Sequence, residues 1–207
     1  MTHFWRFVPL AGVLVFFGLG IGVRAWLHAR RYGSTGVVLF RGGTPSERLL
    51  GALALLVPVA LLAQATLAVV APERVHAVAA EPVARLLRPL GAALLFGGSL
   101  LMFAAQLDLG ASWRIGLERE RAGALVTSGL YRYSRNPIYL FMGAAFVGFA
   151  LLLPTWPLLL ILAGGAIGWR VWVIRVEEPH LLAIYGDAYR AYAARVGRFL
   201  PWMGRLR

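Results

Sequence analysis

The chain has 207 residues, of which 59% are hydrophobic, and it carries a formal net charge of +12. This composition excludes an ordinary soluble domain and is typical of a single domain embedded in a membrane. There is no cysteine, which excludes disulfides, thiolate metal sites and a cysteine nucleophile. The four histidines are scattered without the spacing of a metal site, so the sequence indicates no metal.

Five apolar segments predict five transmembrane helices. A helix needs about 20 apolar residues to cross the hydrocarbon core of a bilayer, and each segment meets or approaches that length. The sequence therefore predicts an all-α polytopic membrane protein whose last two spans form a C-terminal helical hairpin. The segments cover residues 7–23, 49–70, 90–107, 138–153 and 157–174.

The positive charge lies in the loops between these segments. All basic residues are arginines, and they concentrate in residues 27–48, 108–136 and 190–207. The positive-inside rule makes these regions cytoplasmic, with the N-terminus outside and the C-terminus inside the inner (cytoplasmic) membrane. Residues 71–89 fit less well, because they hold three arginines against two glutamates. Arginines in this position favour topology control over nucleic-acid binding.

The chain divides into two unequal parts. Residues 1–88 contain two predicted helices and few reactive groups, whereas residues 89–207 contain three helices and most of the unusually placed polar residues. After the fifth span, apolar side chains recur at helical spacing, which predicts an amphipathic helix at the inner membrane surface. These side chains are Leu181, Leu182, Tyr185, Tyr189, Tyr192 and Val196.

Small residues recur within the apolar segments. Gly164 and Gly168 form a small-xxx-small pattern in the fifth span, and Gly97 and Gly98 interrupt the third. Close packing between helices accounts for both pairs, because glycine lets two backbones approach each other.

Two charged clusters flank the predicted hairpin on its cytoplasmic side. Arg135-Asn136-Pro137 opens the fourth span, where Asn and Pro could simply start a helix. Glu177-Glu178 ends the fifth span, where carboxylates meet the negative end of the helix dipole, at a cost of about 0.3–1 kcal/mol each. This cost favours a functional site over a solvated pair of glutamates.

Two arginines precede these glutamates along the same helix. Arg175 lies three residues before Glu178, and Arg170 lies seven before Glu177, about two turns deeper on the same face. A charged side chain inside a spanning segment is expected to face protein or a wet cavity.

In order and spacing, these residues resemble the superfamily of isoprenylcysteine carboxyl methyltransferases and phospholipid methyltransferases. The resemblance covers residues 90–202 and departs at one position, where Asn136 replaces the usual histidine and removes a titrating group. The residues that carry it are Leu109-Gly110-x-x-Trp113, Gly129-x-Tyr131-x-x-x-Arg135-Asn136-Pro137-x-Tyr139, Glu177-Glu178-x-x-Leu181, Tyr185-Gly186-x-x-Tyr189-x-x-Tyr192 and Arg198-Phe199-x-Pro201.

The resemblance implies an integral membrane methyltransferase that uses S-adenosylmethionine and a lipophilic acceptor, either an isoprenylcysteine-like carboxylate or a lipid head group. In family terms Arg170 and Arg175 are the catalytic candidates, orienting the acceptor. The implied cofactor contacts are Tyr131, Arg135, Asn136, Tyr139, Glu177 and Glu178.

Two alternatives stay open at this point. A membrane reductase with a nicotinamide cofactor could share the C-terminal hairpin, although the sequence offers few basic groups for a dinucleotide phosphate. A non-catalytic transport or scaffold protein could use the arginine–glutamate cluster as a structural lock.

Overall fold

The computed structural model describes residues 4–38, 45–78, 80–116 and 123–206, and for residues 45–54 it describes the backbone alone. The described residues form α-helices joined by turns and loops, with no β-strand among them apart from two isolated bridges. The loop residues Arg41, Arg119, Arg121 and Arg207 lie outside the described ranges. The helices are α1 Val8–Phe17, α2 Arg24–Tyr32, α3 Pro45–Val70, α4 Glu81–Asp108, α5 Pro137–Leu152, α6 Trp156–Trp172 and α7 Glu178–Arg195.

The predicted membrane segments are confirmed as helices. Phe4–Tyr32, Glu81–Asp108 and Trp156–Arg195 are long and apolar enough to cross a membrane, and Leu55–Val70 and Pro137–Leu152 are shorter apolar helices. Two of the long helices contain a π-helical turn, at Gly18–Val23 between α1 and α2 and at Val173–Glu177 between α6 and α7. Such turns shift the side chains that follow them to another face of the helix.

Glycines bring α4 and α5 into direct backbone contact. A Cβ atom on Gly98 would lie 2.7 Å from the Ala145 nitrogen and 2.8 Å from the Phe141 carbonyl oxygen. A Cβ on Gly91 would lie 2.9 Å from the carbonyl oxygen of Gly148. The packing prediction is confirmed for Gly98, and this pair of helices forms the centre of the apolar core.

The first helical segment joins this core through a buried arginine. Arg24 is 2% exposed and donates to the carbonyl oxygens of Gln106, at 3.2 Å, and Gly110, at 2.7 Å. Its guanidinium also lies 4.5 Å from the ring centroid of Trp113. Arg24 thus satisfies carbonyls that the end of α4 leaves without a helical partner. Apolar residues from both predicted parts, 1–88 and 89–207, share one core.

α6 is the least packed of the long helices. Only 11% of the most apolar window of Trp156–Arg195 is buried, against 39% for Glu81–Asp108. The prediction that Gly164 and Gly168 pack against another helix is wrong within the described part of the chain, because a Cβ on either would meet no atom within 4 Å. The contact with α5 runs through Trp169, whose ring lies near those of Tyr139 and Phe146.

The predicted amphipathic helix corresponds to α7, which bends at Gly186, where φ is 50°. Tyr189 and Tyr192 are buried. They form a small second core with residues that include Leu125 and Leu206, so the chain's own C-terminal segment covers part of this face.

Candidate active site

The predicted arginine–glutamate cluster is organised around the carboxylate of Glu178, which is 5% exposed. Arg198 donates to it twice, from Nε to Oε1 and from Nη2 to Oε2, both at 2.9 Å. Arg135 approaches from the other side, with Nη2 2.7 Å from Oε1. The hydrogen bonds to Glu178 raise the pKa of Arg198 above its ordinary value. Two arginines thus share one buried carboxylate, and the three residues form a triad.

Residues 134–136, just before α5, bind residues 197–204 of the C-terminal segment. The backbone nitrogen of Arg135 donates to the carbonyl of Gly197, at 2.9 Å, and its Nη2 donates to the carbonyl of Gly204, at 2.8 Å. Asn136 donates from Nδ2 to the carbonyl of Arg198, at 2.9 Å. Pro137 begins α5 as the sequence indicates, but the side chain of Asn136 does not cap that helix. It binds the C-terminal segment instead.

Glu177 has different partners from its neighbour. Its carboxylate accepts a hydrogen bond from the hydroxyl of Tyr139. Its Oε2 is buried and, within the ranges the structure describes, has no hydrogen-bond partner. Successive residues on a helix point about 100° apart, and the π-helical turn ends at this residue. The two adjacent glutamates therefore face different groups.

Tyr131 lies close enough to Glu177 to feel its charge. It belongs to the short 3₁₀ turn Gly129–Arg132, is 7% exposed, and accepts a hydrogen bond at its carbonyl from the hydroxyl of Tyr192, at 2.7 Å. Burial raises the pKa of the Tyr131 phenol, and the charge of Glu177 raises it further. The phenol therefore stays protonated and can donate a hydrogen bond.

The cluster contains buried hydrogen-bond donors and a buried acceptor that have no partner among the described residues. Besides Oε2 of Glu177, the Nε and Nη1 atoms of Arg135 are buried and, counting only the described residues, unpaired. Buried polar atoms are normally hydrogen-bonded, so such a set indicates a place for a ligand. A set with both an acceptor and donors suits a molecule that carries an ammonium and a carboxylate.

The two arginines predicted to orient the acceptor lie elsewhere. Arg170 and Arg175 are both exposed, and the structure does not bring them into the buried triad. Sequence reasoning gave no role to Arg198, although it stands in the quoted Arg198-Phe199-x-Pro201 motif. It also missed Arg24, because an arginine at the end of an apolar segment usually extends to the membrane surface.

Comparisons with known proteins agree with the motifs. The family model of phospholipid methyltransferases matches residues 87–188. The methanethiol S-methyltransferase of Mycobacterium tuberculosis is 38% identical over 80 residues, which are 37% of this chain and 30% of that protein. The match thus spans less than a third of that relative's length.

A solved structure shares the fold. The eukaryotic intramembrane Ras methyltransferase, an isoprenylcysteine carboxyl methyltransferase, superimposes with a TM-score of 0.55 over 95% of this chain and 70% of the other, at 20% identity. The family model and the relative support the family predicted from the motifs, and the solved structure confirms the fold.

Proposed function

We propose that this chain transfers a methyl group from S-adenosylmethionine to a lipophilic acceptor, because residues 87–188 match the family model of phospholipid methyltransferases. The reaction takes place at the end of the helices where α5 begins and the Val173–Glu177 turn ends. With the arginine-rich loops in the cytoplasm of the cell, this end faces the compartment in which the cofactor is made.

One observation supports this proposal above the others: the cluster contains a buried acceptor and two buried donors that lack hydrogen-bond partners among the described residues. Oε2 of Glu177 offers an acceptor for the ammonium of S-adenosylmethionine, and Nε and Nη1 of Arg135 offer donors for its carboxylate. The residues present therefore fit the amino-acid part of the cofactor.

The six proposed cofactor residues divide into two tasks. Glu177, Arg135, Tyr131 and Tyr139 contact the cofactor. Glu178 acts on it through Arg135, whose guanidinium it holds at 2.7 Å. Asn136 fixes the C-terminal segment that closes the site, since its amide binds the carbonyl of Arg198.

When bound, S-adenosylmethionine supplies a methyl group on a sulfonium, which is already activated for direct displacement. The protein then needs to hold the two reactants in line and exclude water rather than provide a covalent nucleophile. The buried triad and the protonated phenol of Tyr131 meet that need, because their polar groups are held in fixed positions around the site.

The acceptor reaches the site from the membrane. The sparse packing of α6 and the open space beside Gly164 and Gly168 support an approach between helices. Arg170 lies about 10 Å along the helix from Glu177, from seven residues at about 1.5 Å each. It is exposed on α6, where its guanidinium and that of Arg175 can pair with an acceptor's anionic group.

Titration calorimetry on the purified full-length chain in lipid nanodiscs tests the function. We expect saturable binding of S-adenosylmethionine and no binding of reduced nicotinamide cofactor. Binding of the nicotinamide cofactor alone would support the reductase. Binding of neither would support a protein in which the arginine–glutamate triad only locks the fold.

A further inference from the structure

A second polar site lies at the opposite end of the helices. Residues from the start of α4, the end of α3 and the turn Phe4–Arg6 line one cavity there. The backbone nitrogen of Val78 also donates to the carbonyl of Pro154 in the α5–α6 turn, at 2.7 Å. Arg88 in α4 stands 18 residues before Gln106, which puts it about 27 Å from the cytoplasmic end of that helix. This site is therefore separate from the proposed active site.

The site is a cavity of about 350 Å³ lined by groups of both charges. Its basic members are Arg6 and Arg88 and its acidic members are Glu73 and Glu81, with Ala68 among its apolar walls. The volume lies at the lower end of the range for small-molecule pockets.

The side chain of Arg88 is held in place by Glu81. It is only 3% exposed, and its Nη1 and Nη2 atoms donate to the two oxygens of Glu81, at 3.1 and 2.9 Å. Its Nε atom is buried and has no hydrogen-bond partner among the residues that the structure describes. Arginine has donors in a rigid planar arrangement, so this third donor is held in place while it lacks an acceptor.

Arg6 also lines this cavity. Its Nε atom is also buried and unpaired within the described ranges. Two arginines that line one cavity, each with a buried donor that lacks a partner among the described residues, indicate an anionic oxygen ligand, and a phosphodiester offers the right acceptors. The exposed carboxylate of Glu73 on the same cavity would repel a ligand that carries only negative charge.

We propose that this cavity binds the head group of a zwitterionic phospholipid, with the phosphodiester on Arg6 and Arg88 and a primary ammonium on Glu73. The position of the cavity at the end of the helices supports a lipid as the ligand. Trp156 begins α6 at this end and is 64% exposed, and tryptophan concentrates at the level of the lipid head groups. The bound lipid is a structural ligand of the outer end of the helices, about one membrane thickness from the methyl-transfer site.

Native mass spectrometry of the full-length chain, offered equal amounts of phosphatidylethanolamine and phosphatidylglycerol with the same acyl chains, tests this. We expect one retained phosphatidylethanolamine per chain, at several-fold preference. Arg6→Gln should lower its retention about tenfold, the loss expected for a hydrogen bond to a charged group. Arg85→Gln is the matched control, because Arg85 is exposed, lies one turn before Arg88 and does not line the cavity.

A second variant tests the ammonium contact and does not depend on Arg6. Glu73 is exposed in the short turn Pro72–Arg74, so Glu73→Gln should fold normally, abolish the preference for phosphatidylethanolamine and leave phosphatidylglycerol retention equal or higher. Equal retention of both lipids by the unmodified protein would overturn the proposal. So would displacement of the lipid by inorganic phosphate as effective as displacement by glycerophosphoethanolamine, which would make the cavity a phosphate site.

Discussion

Arg198 binds Glu178 through both carboxylate oxygens, each at 2.9 Å, and so ties the C-terminal segment to the start of α7. Because Arg135 binds the same carboxylate, one buried negative charge serves two arginines from separate parts of the chain. Arg135 and Arg198 depend on this carboxylate to stay buried, so the triad is at once a structural lock and the wall of the proposed cofactor site.

The triad predicts that Glu178→Ala destabilises the protein by about 3–5 kcal/mol, the usual effect of removing one partner from a buried ion pair. Thermal unfolding in detergent, followed by tryptophan fluorescence, measures the change. Asp187→Asn is the control, because the Asp187–Arg190 pair is exposed and exposed pairs contribute little. Equal stability of both variants would remove the structural role of Glu178.

Glu177 should behave differently from its neighbour. Glu177→Gln removes the charge that faces the cofactor's ammonium and should weaken S-adenosylmethionine binding by about 1.5–3 kcal/mol, or about 10- to 150-fold in Kd. Its unfolding temperature without cofactor should change much less than that of Glu178→Ala. Titration calorimetry gives the affinity, and an unchanged Kd would exclude Glu177 from the cofactor site.

Substitutions at Arg170 distinguish a role in acceptor binding from a role in cofactor binding. Arg170→Ala should leave S-adenosylmethionine affinity nearly unchanged and sharply reduce methyl transfer, while Arg170→Lys restores only part of it because lysine lacks the planar donor pair. The assay follows tritiated methyl groups into a farnesylcysteine analogue and into phosphatidylethanolamine vesicles. A large loss of cofactor affinity in Arg170→Ala would instead put this residue in the cofactor site.

The α4–α5 contact predicts opposite effects on stability for alanine substitutions at the neighbouring glycines Gly97 and Gly98. Gly98→Ala would bring a Cβ within 3 Å of α5 backbone atoms, and we expect a loss of about 1–3 kcal/mol in stability from overpacking. At Gly97 a Cβ meets nothing within 4 Å, so Gly97→Ala should be neutral or stabilising by up to about 1 kcal/mol, the helix preference of alanine. The same unfolding assay compares them, and equal effects would contradict the packing described.

The orientation in the membrane is tested by reporters fused after Arg207. Because arginine-rich loops stay in the cytoplasm, a fluorescent protein should be bright there and alkaline phosphatase inactive. Active phosphatase would show the opposite orientation, in which the proposed cofactor site faces away from the cytoplasm, where the cofactor is made.

The sequence by itself determined the helices and the order of the site residues. Segments of about 20 apolar residues have one stable solution in a bilayer, a helix whose backbone bonds are all internal, so the five segments could be predicted without knowledge of their neighbours. The pair Glu177-Glu178 could be found from its place at the end of an apolar segment, and the motif from Tyr131 to Tyr139 from its resemblance to a family.

Only the tertiary structure decided which groups these residues meet. Glu177 and Glu178 are equivalent in sequence, yet one binds Tyr139 and the other binds Arg135 and Arg198. Gly98 is packed and Gly164 is open, although both lie in apolar helices. The physical reason is the same in both cases: hydropathy and helical period are local properties, whereas the partner of a side chain depends on how the helices are rotated and where the C-terminal segment returns.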